Sequence, residues 1–430
     1  MSERLPDPEH RNSGIKRVDL AYAELASSEV ARDINRDIVL ELIRTKQPVA
    51  RADLSRFSGL QPSTVSSIVE QLLLEKWIVE GAAAIRPRGR RPTLISLNDD
   101  LVMLVADIRP NQAIVAVVDL NGRFLSREVI PLASEPERGV SNMVDCMQRM
   151  QANHSGKTFE GIGISLPGRV DPVSERLILS PNLKWSQYDI KGAVEKRIPL
   201  QVELSNAANA ALLSELWFGR MDGVRNAVLI TISEGVGSAI LANGQLVGGK
   251  NGLAGEFGHI PIDPSGPQCG CGMKGCWEMY ASSRAALRYY AELAPTAPLL
   301  EIQELLNLAG DGNADAIAAL SRQATWLGRG LRLVTAALSP EVILLTGDIT
   351  AAWSTFGPIV QAELQSLMLA GPSPLLTVTT DGELARLRGA GAIVLQRHSG
   401  YHRSTHSSAN GLHIRKRKDR AETSAQQGKG

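Results

Sequence analysis

Residues 232–278 read ISEGVGSAILANGQLVGGKNGLAGEFGHIPIDPSGPQCGCGMKGCWE, a stretch that holds three of the four cysteines and one of the seven histidines. His259, Cys269, Cys271 and Cys276 offer one nitrogen and three sulfurs, the donor set of a closed tetrahedral zinc site. Gly270, Gly272 and Gly275 let the backbone wrap tightly enough for three thiolates to converge on one ion. Glu256 and Glu278 bracket the cluster, so a structural zinc here is expected to form a frame that aims these acids. Clustered cysteines in a chain without a disulfide framework fit a reducing compartment, and Cys146 stands apart as a small buried residue of a helix.

At 430 residues the chain exceeds one typical domain, and its 43% hydrophobic content allows a sizeable core. The first residues, MSERLPDPEHRNSGIKR, lack an apolar signal-peptide core, and no run approaches the roughly 20 apolar residues of a membrane span. A cytoplasmic protein with no membrane partner is expected. A net charge of +1 is uninformative, but the loop Arg86–Arg91 (RPRGRR) and the tail motif RKRKDR concentrate positive charge.

Texture divides the chain into four segments. Residues 1–30 and 399–430 are polar and read as disordered termini, the second of them basic. Residues 31–98 carry three short helical patterns, broken at Gly59 and restarted at Pro62, then strands expected at Trp77–Glu80 and Thr93–Leu97. Residues 99–398 alternate strand and helix patterns, from LVMLVADI to GAGAIVLQR, as an α/β domain in two lobes does.

Three helices and a two-stranded wing describe a winged helix-turn-helix that binds double-stranded DNA, an operator, through its third helix. With Val65, Ile68, Val69 and Leu72 facing inward, Gln61, Ser63, Thr64, Ser66, Ser67 and Gln71 face out with short polar groups for bases and phosphates. Arg86, Arg88, Arg90 and Arg91 surround Gly89 in the wing and suit a narrow A·T minor groove.

The segment 232–259 resembles the signature of the ROK family, which groups sugar-responsive repressors with sugar kinases; Gly235, Gly237, Ala239, Gly249, Gly255, Gly258 and His259 fall at its spacing. CGCGMKGCWE resembles the family's metal motif, and the likeness runs from about Asn35 to Arg397. It implies an actin-like, ribonuclease-H-like fold of two α/β lobes with a sugar in the cleft. It also implies sugar contacts from Gly168 and Arg169 (LPGRVDP), Asn182 (SPNLKW), Asn206 (NAAN), Glu256 and His259 (E-x-G-H) and Glu278.

Family kinases take their base from the aspartate of N-D-x-N, where this chain reads Asn206-Ala207-Ala208-Asn209. They cradle phosphate with D-x-G-G-T-K, where it reads Asp107-Ile108-Arg109-Pro110-Asn111-Gln112, and the glycine pair of the adenosine loop appears as Gly347-Asp348. The layout is that of the N-acetylglucosamine and xylose repressor branch. It implies a catalytically inactive domain, a sugar or sugar-phosphate effector, and a homodimer or homotetramer on a palindromic operator. The alternative is a glucokinase-like ROK kinase with an appended DNA-binding head; regulation by protein contact and activator behaviour are further options.

Overall fold

Gly59 ends a helix because it adopts the left-handed conformation (φ +72°), and its N–H returns to the Ser55 carbonyl at 3.0 Å. Pro62 opens the next helix in a first turn that needs no N–H from it. These two residues place α2 (Arg51–Ser58) and α3 (Pro62–Leu74) behind α1 (Ser28–Lys46), with β1 (Val49–Ala50) between α1 and α2. The computed structural model describes residues 28–83 and 93–397, apart from 172–173, 181, 220, 222, 250–251, 367–371 and 380–381. The termini expected at 1–30 and 399–430 therefore lie almost wholly outside the described residues, as does the arginine loop.

A hairpin of β2 (Ile78–Ala83) and β3 (Thr93–Leu97) completes this head, with β1 paired on the outer side of β3. The strand expected at 77–80 thus begins one residue later and runs three further. Lys76 closes α3 in the left-handed conformation (φ +61°), and the Trp77 indole turns inward beneath the Arg36 guanidinium.

Two sheets follow, built on one plan. In the first lobe β4 (Leu101–Ile108), β5 (Gln112–Asp119) and β6 (Phe124–Pro131) form an antiparallel meander. After α4 (Pro136–Asn153), β7 (Thr158–Leu166) lies parallel to β4. A small sheet of β8 (Arg169–Val170), β9 (Leu177–Ser180) and β10 (Trp185–Ser186) then leads to α5 (Ile190–Glu195). β11 (Val202–Asn206), parallel to β7, and α6 (Ala207–Phe218) close the lobe.

The second lobe repeats the order. β12 (Ala227–Ile232), β13 (Val236–Ala242) and β14 (Gln245–Leu246) form the meander. The metal run, α7 (Glu278–Ala281), α8 (Ser283–Leu293), α9 (Ile302–Gly310) and α10 (Ala314–Leu338) come next. β15 (Val342–Gly347) lies parallel to β12, α11 (Trp353–Gln365) follows, and β16 (Leu375–Val378) lies parallel to β15. Both five-stranded sheets therefore run meander, first strand, then two parallel strands, as a ribonuclease-H-like duplication does. The final α12 (Ala385–Gln396) returns to pack on β4, β7 and β11 of the first lobe and on α6.

The break in texture at residue 98 is not a break in packing. Val39, Ile43, Leu72, Ile95 and Leu97 share one hydrophobic cluster with Met103, Val118, Leu387 and Leu395. Among the described residues no helix is long and apolar enough to cross a membrane.

Gly389 sets the crossing of α12 on α6: a Cβ there would lie 1.7 Å from the Ala210 carbonyl oxygen. Gly389→Ala is expected to lower unfolding free energy by about 3 kcal/mol in a denaturant titration, because backbone must move to admit it. Gly310→Ala, where a Cβ meets nothing within 4 Å, is expected to change it by less than about 0.5 kcal/mol.

Candidate functional site

The run from Gly255 to Glu278 folds back on itself because glycines stand where its backbone touches β13 or crosses itself. A Cβ on Gly258 would lie 2.0 Å from the Val236 carbonyl oxygen, and one on Gly275 would lie 1.6 Å from that of Asp263. The donor atoms of His259, Cys269, Cys271 and Cys276 thereby come within 4.8 Å of one another. Zinc bonds of about 2.3 Å to sulfur and about 2.05 Å to nitrogen put tetrahedral ligands about 3.8 Å (S···S) and about 3.6 Å (N···S) apart. Here Cys271 Sγ and Cys276 Sγ are 3.6 Å apart, and Cys269 Sγ is 3.5 Å from His259 Nδ1. Two of the donor pairs stand at tetrahedral-edge distances and all four donors lie within 4.8 Å, a set that could hold a divalent metal with no open position.

The cluster's electrostatics point the same way. Burial, helped by the Glu278 carboxylate, holds the Cys269 thiol above its usual range, and burial pushes Cys276 to about 11. Desolvation also acts on Cys271, but the Met273 N–H and the neighbouring sulfurs outweigh it and bring that thiol down. Buried thiols of this kind become thiolates when a cation supplies the compensating charge.

His259 presents Nδ1 to Cys269 and to Glu278 Oε1 at 3.6 Å, and turns Nε2 toward Glu256 Oε2 at 3.8 Å. Glu278 is largely buried at the start of α7, and Gly235 leaves room for it, since a Cβ there would stand 2.8 Å from Glu278 Oε2. Partial burial raises the Glu256 carboxyl above the usual carboxylate range; His259 and Arg169 oppose that rise, and Glu278 adds to it. Glu256, His259, Glu278 and Arg169 thus form one polar group. The Arg169 Nε is buried with no hydrogen-bond partner among the described residues, so the group keeps an unused donor.

Arg169 follows Gly168, whose φ of +106° and whose contact with β9 (a Cβ would lie 2.4 Å from the Leu179 carbonyl oxygen) exclude a side chain. The β8 strand they open packs against β11, at whose end Asn206 caps α6 by accepting from the Asn209 N–H at 2.7 Å. Asn182 is exposed in the turn between β9 and β10, with no contact to the polar group established. The structure therefore gathers Arg169, Glu256, His259 and Glu278, gives Asn206 a capping role nearby, and leaves Asn182 in solvent.

Where phosphate chemistry would be sought, Asp107 Oδ2 and Asp348 are engaged, and Asp107 Oδ1 is buried with no hydrogen-bond partner among the described residues. Asp107, fully buried at the end of β4, accepts from Arg109 Nε at 2.8 Å and pairs with Arg386 Nη2 at 3.1 Å. Asp348 accepts from the Ser283 hydroxyl at 2.5 Å beside Gly347, where a Cβ would meet the Ile232 carbonyl oxygen at 1.8 Å. On α3, Gln61, Ser63 and Ser67 are exposed, and Thr64 and Ser66 are half-buried. Gln71 is tied down, accepting from Arg32 at 3.0 Å and donating to Glu75 at 2.7 Å. Arg86, Arg88, Arg90 and Arg91 lie outside the described residues.

The ROK family model matches residues 106–397. The chain belongs to the ROK family. Among its ROK relatives, the xylose repressor of Bacillus subtilis is 29% identical over 378 residues, covering 86% of this chain and 97% of that protein. A glucokinase of Streptomyces coelicolor is 34% identical over 261 residues, covering 57% of this chain and 81% of that enzyme. A solved ROK transcriptional regulator, described as a homologue of the E. coli MLC protein, superposes with a TM-score of 0.74 at 26% identity. That match covers 86% of this chain and 98% of the other. The actin-like, sugar-kinase fold with its mixed sheets is therefore that of the ROK proteins.

Sequence reading missed Arg386 and Ser283, which engage Asp107 and Asp348. Neither sits in a motif, and only the fold brings residues 279 positions apart, Asp107 and Arg386, into contact.

Metal analysis of the purified chain is expected to find close to one tightly held equivalent, lost in Cys269→Ser and Cys276→Ser with a fall in stability of roughly several kcal/mol. Cys146→Ala is expected to keep the metal, because Cys146 packs in the first-lobe core away from the cluster.

Proposed function

We propose that this ROK protein is a sugar-responsive transcriptional regulator, of repressor type, whose sugar-binding cleft has lost phosphoryl transfer. The observation that carries the non-enzymatic half is Asp107, held between Arg109 and Arg386 and therefore committed to an ion triad. Ala207 adds to it: the residue after Asn206 ends in a methyl and offers no base for a sugar hydroxyl. The relatives add the regulatory half. The xylose repressor shares nearly its full length with this chain, whereas the glucokinase matches little more than half of it.

In this reading the sugar or sugar phosphate lies against Gly168, Arg169, Asn182, Asn206, Glu256, His259 and Glu278. Adjacent hydroxyls of a sugar need several converging donors and acceptors, and a carboxylate pair with an imidazole and a guanidinium supplies them. Asn182 reaches the ligand only if its loop closes over it. Zinc is the metal assigned to His259, Cys269, Cys271 and Cys276; as a closed site it holds the acids in place and takes no part in a reaction.

Residues 31–98 act as a winged helix-turn-helix, and residues 99–398 act as the sugar-binding domain. Gln61, Ser63, Thr64, Ser66 and Ser67 meet operator DNA from α3, and Arg86, Arg88, Arg90 and Arg91 meet it from the wing. Gln71, engaged by Arg32 and Glu75, must first release them to take part. A palindromic operator needs two heads, hence a homodimer or a homotetramer.

The second reading is a sugar kinase carrying a DNA-binding head, favoured by the 34% identity to a glucokinase. A coupled ATP-consumption assay with glucose, N-acetylglucosamine and xylose separates the two: no turnover above background is expected, and robust turnover overturns the proposal. Gel-shift titrations with the same sugars are expected to change operator affinity by about tenfold for at least one of them. Glu278→Gln, which keeps shape and removes charge, is expected to abolish that change while leaving sugar-free DNA binding intact.

A further inference from the structure

The helix α6 joins the two ends of the molecule that the proposed function must connect. It begins at Asn206, beside the cleft, and its first turn packs on the second-lobe meander, where a Cβ on Gly237 would stand 3.7 Å from that of Ala208. Ala208 and Ala210 through Glu215 are all buried, and α6 touches strands of both lobes and α12. Gly389 of α12 is clamped against the Ala210 carbonyl, and the C-terminal Phe218 ring is clamped against Gly122 of the β5–β6 turn. A helix buried over most of its length between strands of both lobes and α12 moves as a unit, so displacement at one end appears at the other. Its 12 residues span about 18 Å.

The far end meets the head. Arg44, in the last turn of α1, donates through Nη1 to the Trp217 carbonyl of α6, while its Nε bonds Glu41 of its own helix at 2.8 Å. An unpaired C-terminal carbonyl of one helix is thus read by a cation of another. Beside this contact lies a cavity of about 170 Å³ between head and body, walled by Leu40, Arg44, Trp77, Leu97, Leu120 and Trp217. Close packing is therefore interrupted where the head would have to shift. One other hydrogen bond there, Gln47 Nε2 to Asn121 Oδ1 at 2.7 Å, bypasses α6.

We infer that α6 transmits occupancy of the sugar cleft to the DNA-binding head, and that Arg44 is the positioning residue through which the head receives it. This rests on the reading of the chain as a sugar-responsive DNA-binding regulator. Effector binding moves the Asn206 end of α6, the Trp217 carbonyl moves with it, and α1 follows into the space the cavity leaves. Coupling of this kind is reciprocal, so operator DNA must change sugar affinity by the same factor.

The test uses the full chain, a duplex selected by the wild type from random-sequence DNA, and whichever of D-xylose, D-glucose and N-acetylglucosamine most raises the melting temperature. The ratio of duplex Kd with and without that sugar is measured for wild type, Arg44→Ala and Asn121→Ala. Expected is a ratio of about ten or more in wild type and Asn121→Ala, and under about two in Arg44→Ala. Each separate affinity of Arg44→Ala should stay within about threefold of wild type. A wild-type ratio in Arg44→Ala overturns the inference, as does loss of coupling in Asn121→Ala alone. If Arg44→Ala no longer binds the duplex, Arg44→Lys replaces it under the same criteria, since a lysine keeps the charge but cannot engage Glu41 and Trp217 together. A wild type that binds both sugar and duplex with a ratio of one defeats the proposed function itself, a result distinct from failure of Arg44 alone.

Discussion

Three sulfurs and an imidazole nitrogen packed within 4.8 Å of one another set the course of the chain from Gly255 to Glu278. The buried thiols of Cys269 and Cys276 hold their protons, and thiolates at that spacing repel, so a divalent cation would make the arrangement favourable. The surrounding structure is arranged to permit it. Trp277, directly after the last sulfur, sits against Gly330 of α10, where even a Cβ would collide with the indole at 1.9 Å. Its Nε1 bonds the Trp326 carbonyl at 2.9 Å, tying the metal run to the longest helix of the second lobe. Glu278 follows at once, and its carboxylate is fixed by the same anchor.

From that anchor the cleft divides into two sides with opposite histories. On one, the Arg169 Nε has no hydrogen-bond partner among the described residues and burial holds the Glu256 carboxyl above its usual range, while Glu278 accepts from the Cys269 thiol at 3.0 Å. On the other, Asp107 Oδ2 is bonded to Arg109 and Arg386 and Asp348 to Ser283, while Asp107 Oδ1 is buried with no hydrogen-bond partner among the described residues. A binding site needs polar groups that wait for a ligand, whereas groups already satisfied internally offer it little. Recognition over transfer is favoured by the ion triad at Asp107 together with the methyl of Ala207 after Asn206.

Legibility in the sequence followed how local each feature is. Gly59, Pro62 and the inward stripe Val65, Ile68, Val69 and Leu72 announce α2 and α3 because capping and periodicity act within a few residues. The Cys/His cluster was legible because three of its four residues lie within eight residues of one another. The two-lobed actin-like fold and the residues proposed for the sugar came from the ROK likeness. Long-range pairings were invisible: Asp107 with Arg386, Ser283 with Asp348, Arg44 with Trp217. So was the fate of Gln71, whose outward position on α3 is real but whose amide is held by Arg32 and Glu75. The division at residue 98 reflects composition, while the hydrophobic cluster runs through it from Val39 to Leu395.

Hydrogen exchange of the full chain, with and without saturating sugar, tests the central claim most directly, because it reads the cleft and the head in one experiment. Expected is added protection over residues 254–278 and around Arg169, together with a changed exchange rate in α1, and no effect of ATP on residues 107–112 or 347–352. Protection confined to the cleft with α1 unchanged, or protection of those two loops by ATP, would contradict the picture of a sugar sensor wired to a DNA-binding head.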